Sequence, residues 1–269
     1  YIKGVNRHEM NPNTGYYVTR EDMIRDLELI KKLNFNAVRT CHYPDTPLWY
    51  DLCDIYGIYL VDEGNIESHG MGYGEETLAK RADYAAAHLI RDQRMVLRDY
   101  NHPSVIIWSL GNESGNGENF YKCYDWIKAY DKSRPVQHEQ ASTNYKEQQY
   151  NSDIQCPMYA SYRWCEDYCR NMAHHKWKRP LIQCEYAHAM GNSLGGFKEY
   201  WDLVRKYPNY QGGFIWDFAD QALAYRDPES GKLIYRYGGD YNDRDASDDS
   251  FCCNGVVAAN RTPNPGAYE

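Results

Sequence analysis

The stretch from Val105 to Glu113 places the strongest constraint on the fold of this chain. It is an almost unbroken run of apolar and β-branched residues that ends abruptly in an Asn-Glu pair. Such a run is typical of a strand that is buried on both faces, as in a parallel sheet. A second stretch, 180–188, repeats the design and carries Glu185 after its apolar residues. The pattern therefore predicts two buried strands that each deliver a glutamate at the carboxyl end.

Strand-like and helical patterns alternate along the rest of the chain. The predicted strands cover residues 1–6, 36–40, 58–63, 105–113, 135–139, 153–159, 180–185 and 212–218. The predicted helices cover about 19–33, 47–56, 78–100, 117–130, 161–174 and a segment around 197–204. This alternation predicts an α/β fold, a (β/α)8 TIM barrel, with an irregular or missing fifth helix because 140–152 are polar and poorly periodic. After residue 218 we expect only a turn-rich segment.

A doubly wound open sheet is the rival fold, but it predicts a Gly-x-Gly-x-x-Gly motif after the first strand, and the sequence has none there. The 269 residues suit one domain, 1–269, of the size that α/β barrels reach undivided. The net charge of −8, without a basic block, argues against nucleic acid or an anionic membrane as a partner. Nine cysteines without a Cys-x-x-Cys motif are expected to be reduced, which favours the cytoplasm, with the periplasm as the alternative.

The two strand-end glutamates suggest chemistry on a glycosidic bond. Glycoside hydrolysis needs one carboxylic acid that protonates the leaving oxygen and one carboxylate that meets the anomeric carbon. Because the fourth and seventh strands lie across the mouth of a barrel, Glu113 and Glu185 are expected to face each other over a sugar. The alternative is that each glutamate caps a helix or pairs with an arginine.

Other polar and aromatic residues also follow predicted strands. His8, His42 and His188 each stand just beyond a strand end, which predicts that they meet on one rim, although a lone histidine is usually structural. Trp216, near the end of the eighth strand, offers a flat face to a sugar or packs in the core. Glu67 and His69 form a Glu-x-His pair, which alone is a weak metal signal.

With these motifs taken together, the chain resembles the lactose-cleaving β-galactosidases of glycoside hydrolase family 2. The motifs that carry the resemblance are GVNRHE at 4–9, HYP at 42–44, NIESHG at 65–70, GNESG at 111–115, CPMY at 156–159 and CEYAHAMGNS at 184–193. They occur in order over nearly the whole chain, and the last one is highly specific. The resemblance implies a retaining β-galactosidase that cleaves terminal β-D-galactosides such as lactose.

The resemblance also implies roles for individual residues. Glu113 is the expected acid/base and Glu185 the expected nucleophile, and retention implies that their carboxyl groups lie roughly 5 Å apart. Asn112 is expected to bond the sugar 2-hydroxyl. Arg39 and Tyr159 are expected to hold the nucleophile, although each is also explained as a scaffold contact. His8, His42, His188 and Trp216 become sugar or transition-state contacts.

Two cations are implied in the same way. Glu67, His69 and Glu113 correspond to magnesium ligands, and water would complete the shell of this small hard cation. The peptide oxygen of Phe251 and the side chain of Asn254 correspond to part of a sodium site, whose further aspartate lies in a preceding domain of the family. Asp248 is expected near a second, looser magnesium site.

We therefore expect the chain to be the barrel of a larger, homo-oligomeric enzyme with flanking β-sandwich domains, and a poor catalyst by itself. Another exo-glycosidase of the family, of the β-glucuronidase or β-mannosidase type, is the nearest alternative. A non-catalytic sugar-binding fragment is a second. A metal-dependent amide or phosphoester hydrolase is a third, suggested by the nine histidines, but it usually needs His-x-His after the first strand, where Arg-His-Glu stands.

Overall fold

A parallel sheet forms the centre of the computed structural model, which describes residues 1–142, 149–191, 193–242, 244 and 249–268. Its strands are β1 Ile2–Asn6, β2 Ala37–Arg39, β3 Tyr59–Glu63, β4 Val105–Ser109, β5 Val136–Gln137, β6 Leu181–Tyr186 and β7 Tyr210–Ile215. They are ordered β5-β4-β3-β2-β1-β7-β6, and each neighbouring pair is parallel. All of their carboxyl ends therefore meet on one rim.

The ring is closed between β5 and β6 by residues 153–159, which the sequence predicts as a sixth strand. The amide of Asp153 donates to a carbonyl of β5 at 2.7 Å, and the amide of Tyr159 donates to a carbonyl of β6 at 2.8 Å. These residues, all of them described, form isolated bridges rather than a continuous strand, so that prediction is wrong in detail. Pro157 interrupts the ladder because proline has no N–H to donate.

Helices lie on the outside of the sheet. They are α1 Arg20–Lys32, α2 Pro47–Tyr56, α3 Ala85–Asp99, α4 Glu118–Tyr130, α5 Tyr162–Asn171 and α6 Phe197–Lys206. The predicted start of α1 is confirmed, since Thr19 and Asp22 form a reciprocal capping box. Among the described residues, no helix is long and apolar enough to cross a membrane.

Several predicted boundaries need correction. The fourth strand ends at Ser109 rather than at Glu113, and the fifth covers only Val136–Gln137. The helix predicted from residue 78 begins only at Ala85, because extended backbone at Arg81 separates two short 3-10 turns that precede it. The segment after residue 218 also contains an antiparallel hairpin, β8 Leu223–Arg226 with β9 Leu233–Arg236. We predicted only turns there because each strand has four residues, none of them buried, and so shows no alternation of buried and exposed positions.

The fifth βα unit has no α-helix in its described part, as the sequence predicts. A 3-10 turn, Glu139–Ala141, follows β5, and residues 143–148 lie outside the described residues. Asp248, the expected second magnesium ligand, also lies outside them.

An apolar core fills the barrel interior beneath the rim. Its fully or nearly buried members are Ala37, Val61, Ile107, Ile154, Cys156, Ile182, Cys184 and Phe214. Gly4 is required in this layer, because a Cβ atom there would lie 2.2 Å from the ring of Phe214. Close packing of this kind fixes the positions of the strand ends and therefore of the side chains that follow them.

A cleft of about 820 Å³ opens on the outer face of the barrel, between residues 33–35 and α6. Several apolar side chains line it, among them Phe35, Phe197, Trp201 and Val204. An exposed apolar cleft of this kind is typical of a surface that another segment or protein contacts.

Candidate active site

The guanidinium of Arg39, at the end of β2, is the centre of the pocket. It is 1% exposed and pairs in a fork with Glu63, the last residue of β3, through Nε to Oε2 at 2.8 Å and Nη2 to Oε1 at 2.9 Å. Nη1 donates to Glu185 Oε1 at 2.9 Å and to Asn6 Oδ1 at 3.0 Å. Nη2 also donates to Asn112 Oδ1 at 2.8 Å. One buried cation on β2 therefore ties together residues at or just beyond the carboxyl ends of four other strands.

The charges of this cluster stabilise one another. Burial alone would raise the pKa of Glu63, but the adjacent Arg39 and His42 lower it to about 2. Burial alone would lower the pKa of Arg39, but the Glu63 carboxylate and other nearby negative groups raise it well above the ordinary value. Since the pKa of Glu63 is depressed, its contribution to stability is present above about pH 4.5 and is lost as the pH falls towards about 2.

Both oxygens of Glu185 are held by donors. Arg39 donates to Oε1, and the hydroxyl of Tyr159 donates to Oε2 at 2.7 Å. His42 Nε2 lies 4.0 Å from Oε1. Burial and the charge of Glu185 raise the pKa of Tyr159, so its hydroxyl stays a donor. These contacts hold the carboxyl group of Glu185 in one orientation near the end of β6.

Glu113 lies in a different environment. It is half-buried, and the hydroxyl of Tyr73 donates to its Oε1 at 3.2 Å. Its own amide donates to Glu139 Oε1 at 3.1 Å. Its backbone has a φ of 39°, and Tyr159 has a φ of 51°, both in the left-handed region that residues other than glycine rarely adopt. Strain of this kind is concentrated at functional sites, where it aims a side chain.

Glu113 belongs to a group of three side chains that could hold a cation. Carboxylate oxygens of Glu67 and Glu113 and a ring nitrogen of His69 all lie within 4.8 Å of one another. The amide of Asn112 donates to Glu67 Oε1 at 3.0 Å while its oxygen accepts from Arg39. Glu67 and His69 are exposed, which leaves room for water on a hard cation.

Three stacked or edge-on rings, those of His8, His42 and Trp216, form an aromatic wall of the pocket. Trp216 stacks on His42 with centroids 5.0 Å apart and an interplanar angle of 7°. His8 packs edge-on against both rings, at 5.5 Å from Trp216 and 5.6 Å from His42. Burial, with the nearby charges of His42 and Arg39, lowers the pKa of His8 to about 3, so this ring is neutral at neutral pH.

The remaining predicted residues lie together beside Tyr159. His188 packs at 5.9 Å from the ring of Tyr159 and at 5.4 Å from that of Phe251. The Asn254 amide nitrogen lies 2.6 Å from the Phe251 carbonyl and 3.2 Å from His188 Nε2, and its Oδ1 is buried without a hydrogen-bond partner. Exchanging the amide oxygen and nitrogen would turn two oxygens towards one ion, so this pair fits a sodium site after that exchange.

Four residues of this pocket, Asn6, Glu63, Tyr73 and Glu139, were not identified from the sequence. Glu63 and Glu139 each end a predicted strand, the same signal that identified Glu113 and Glu185, but no motif drew attention to them. Tyr73 lies in the loop after β3, where nothing in the local pattern indicates a contact with Glu113.

The buried carboxyl group of Glu139 should make the stability of the protein depend on pH. Burial raises its pKa from 4.5 to about 8. A raised pKa means that its contribution to stability is full below about pH 4.5 and is lost as the pH rises through about 8. The Glu139→Gln variant should therefore show a flatter pH dependence of the free energy of unfolding over this window, by up to about 1.4 kcal/mol per pH unit.

Urea unfolding of the wild type and the variant at about pH 5 and pH 8 measures this difference. Glu75→Gln, which changes an exposed glutamate paired with Lys80, is the matched control and should leave the pH dependence unchanged. Parallel pH dependences for the wild type and Glu139→Gln would show that Glu139 is ionised throughout.

A parallel barrel with two glutamates and a buried arginine on its rim is the arrangement of a TIM-barrel glycoside hydrolase, and the comparisons agree. The model of the family "Glycosyl hydrolases family 2, TIM barrel domain" matches residues 1–269. The chain therefore belongs to glycoside hydrolase family 2, and the predicted TIM-barrel fold is confirmed.

Curated relatives include proteins named beta-galactosidase from Photobacterium profundum and Yersinia enterocolitica. The first is 50% identical over 279 residues and the second 51% over 278 residues, in each case covering 100% of this chain. The chain spans only 26% of the length of each relative.

Solved structures support the fold. The β-D-glucuronidase of Dictyoglomus thermophilum matches with a TM-score of 0.73 and 21% identity over 100% of this chain and 49% of that one. The β-glucuronidase of Ruminococcus gnavus, in complex with uronic isofagomine, matches with a TM-score of 0.72 and 23% identity over 99% of this chain and 50% of that one. At these identities the likeness shows the fold alone.

Proposed function

We propose that this chain is the catalytic barrel of a retaining β-galactosidase. The observation that carries the proposal is the contrast between two strand-end glutamates: Glu185 is held by Arg39 and Tyr159 as a carboxylate, whereas Glu113 is half-exposed. A retaining glycosidase needs this division between a nucleophile and a proton carrier. The relatives at about 50% identity named beta-galactosidase support galactose as the sugar.

The reaction then takes two displacements. In the first, a carboxylate oxygen of Glu185 forms a bond to the anomeric carbon, the glycosidic bond breaks, and the leaving oxygen takes the proton of Glu113. In the second, Glu113 removes a proton from water, the water oxygen attacks the anomeric carbon, and the bond to Glu185 breaks. The two inversions return the β-sugar.

The remaining residues bind the sugar in this proposal. Asn112 is fixed by Arg39 and Glu67, so its amide is preorganised to meet the 2-hydroxyl. His8, His42 and His188 offer ring nitrogens to the other hydroxyls. Trp216 is 7% exposed with one face covered by His42, so any contact with the apolar side of the sugar uses the remaining surface of the indole.

We also propose that Glu67, His69 and Glu113 hold Mg²⁺. Their donor atoms converge, and two of the three are carboxylates, which this cation prefers. A bound Mg²⁺ would supply positive charge beside Glu113 and fix its orientation. The Phe251 carbonyl and Asn254 would contribute to a Na⁺ site once the amide oxygen and nitrogen of Asn254 are exchanged, so that its oxygen, which now has no hydrogen-bond partner, faces the Phe251 carbonyl.

The rest of the enzyme is proposed to supply β-sandwich domains that complete the pocket and a homo-oligomeric assembly. The chain accounts for 26% of the length of its curated relatives, and its apolar cleft beside α6 offers a face for a further segment. We expect the chain alone to be a poor catalyst, since displacements of about 1 Å can cost about a hundredfold in rate. Activity measurements are therefore best made on the barrel together with these domains.

Glu113→Gln tests the proton-transfer role. With leaving groups that need protonation, the variant should lose about 10² to 10⁴-fold in kcat/KM, because it has no proton to give. With a strongly acidic phenol as leaving group, the first step should be nearly unaffected, and azide should restore the second step by attacking without general-base help. Glu76→Gln, in the exposed loop after β3, is a matched control that should behave as wild type. Equal losses on both kinds of leaving group would contradict the acid role.

The nearest alternative is a β-glucuronidase-type specificity, which requires a cation for the sugar carboxylate. Among the described residues, Arg39 is the buried cation of this pocket, and it already pairs with Glu63 and Glu185, which favours a neutral sugar. A panel of aryl β-galactoside, β-glucuronide, β-mannoside and β-glucoside separates these possibilities, and turnover of any of them counts against a non-catalytic sugar-binding fragment. Activity that survives complete chelation would count against a metal-dependent hydrolase.

A further inference from the structure

A second group of metal-ligating side chains lies in the wall of the pocket, apart from the carboxylate group around Glu113. Sγ of Cys41 and one ring nitrogen each of His8 and His42 all lie within 4.8 Å of one another. Cys41 is fully buried, and His8 and His42 belong to the aromatic wall. We propose that these three residues form a binding site for a soft divalent transition-metal ion, Zn²⁺, inside the pocket.

The donor set determines the class of ion. Two imidazole nitrogens and a thiolate suit Zn²⁺, which takes such ligands in a tetrahedral shell, and suit Mg²⁺ poorly, because Mg²⁺ prefers oxygen donors and this set has none. Zinc lies about 2.0–2.1 Å from nitrogen and about 2.3 Å from sulfur. A tetrahedral shell with these bond lengths places donors about 3.4–3.6 Å apart. The three donors therefore need to approach one another by up to about 1.4 Å, and rotation of the half-buried His8 ring is the expected movement.

Hydrogen bonds already orient both imidazoles. Nδ1 of His42 lies 2.9 Å from Glu63 Oε1, and Nδ1 of His8 lies 3.2 Å from the hydroxyl of Tyr43. Metal-bound histidines usually use one ring nitrogen for the metal and the other for a partner of this kind, often a carboxylate. In the proposed site, the Nε2 atoms of both rings would therefore bind the ion.

A fourth ligand is also within reach. Glu185 Oε1 lies 4.0 Å from His42 Nε2, so a small shift brings this carboxylate to an ion between the histidines. The negative charges of Glu63 and Glu185 offset the nearby positive charge of Arg39. On binding, the S–H bond of Cys41 breaks, a sulfur–zinc bond forms and the proton passes to solvent. The bound ion would occupy the place of the sugar beside the aromatic wall.

The test is a titration of the full chain with Co²⁺, in excess Mg²⁺ so that the carboxylate group is filled. Cobalt replaces zinc in such sites, and a thiolate ligand gives a charge-transfer band in the near ultraviolet. We expect the band in the wild type and in Cys252→Ser/Cys253→Ser, which removes the two partly exposed cysteines. We expect Cys41→Ser to lose the band and to bind Zn²⁺ at least about tenfold more weakly in calorimetry.

His8→Gln gives a second test that does not depend on a substitution at a fully buried position. It removes one nitrogen donor from a half-buried position, so Zn²⁺ should bind at least about tenfold more weakly. The proposal would be overturned by any of three results. The charge-transfer band could be absent from the wild type, it could persist in Cys41→Ser, or His8→Gln could bind Zn²⁺ with wild-type affinity. None of these readouts depends on turnover, so they remain informative if the proposed galactosidase activity is not found.

Discussion

Replacing Glu185 with glutamine is expected to reduce turnover of every β-galactoside by at least about 10⁴-fold. The amide cannot form the glycosyl ester, and an activated leaving group does not help because the missing bond is the one to the enzyme. The loss of activity in Glu185→Gln should therefore not depend on the leaving group, whereas the loss in Glu113→Gln should. The quantity to measure is kcat for an aryl β-galactoside with a strongly acidic phenol.

The fold of this variant should be preserved, since glutamine keeps the size of the side chain and an oxygen that accepts from Arg39 or Tyr159. Circular dichroism checks this. Glu166→Gln on α5, which breaks a surface pair with Lys206, is the matched control and should keep wild-type turnover. If Glu185→Gln retained more than about 1% of wild-type kcat, the carboxylate that forms the intermediate would have to be another one.

The second large effect is on stability. Arg39→Met should lower the free energy of unfolding by about 3–5 kcal/mol, because it leaves two buried carboxylates without their cation. Glu63 is fully buried and Glu185 is 4% exposed, so water cannot replace the guanidinium. The free energy of unfolding of Arg39→Lys should lie between those of the wild type and Arg39→Met. Lysine keeps the positive charge but loses the paired hydrogen bonds to Glu63 and the separate hydrogen bond to Asn112.

Urea unfolding at neutral pH measures these differences. Arg205→Met is the control, since Arg205 pairs with Asp202 at 2.6 Å on the surface, where its side chain is 62% exposed. A surface pair of this kind contributes little, so the control should unfold close to wild type. A loss below about 1 kcal/mol for Arg39→Met would mean that the two carboxylates are not both ionised in the folded protein.

Much of the fold follows from local pattern. The capping box at Thr19 and the apolar runs before Glu113 and Glu185 are local signals, so α1 and β6 lie close to their predicted positions. The start of β4 is also as predicted, but this strand ends at Ser109 rather than at Glu113. The errors lie where local pattern is weak. The composition of residues 153–159 predicts a strand, but Pro157 interrupts its pairing. The strands of the β8–β9 hairpin have only four residues each, which is too short for a periodic pattern.

The candidate site divides in the same way. Residues in motifs, such as Asn112 and Tyr159, were identified, and the structure brings them to the pocket. Glu63 was not, because its importance comes from contact with Arg39, 24 residues earlier in the chain, and no local pattern records that pairing. Glu139 is a similar case, since its raised pKa results from burial in the closed barrel.

The central claim is that Glu185 forms a covalent bond to the sugar, and the configuration of the first-formed product tests it most directly. Proton NMR of an aryl β-galactoside, recorded during the first moments of hydrolysis by the barrel with its flanking domains, distinguishes the two anomers before they interconvert. The double displacement predicts β-galactose as the first product. Early appearance of α-galactose would mean that water attacks the substrate directly, and it would contradict the assignment of Glu185 as the nucleophile.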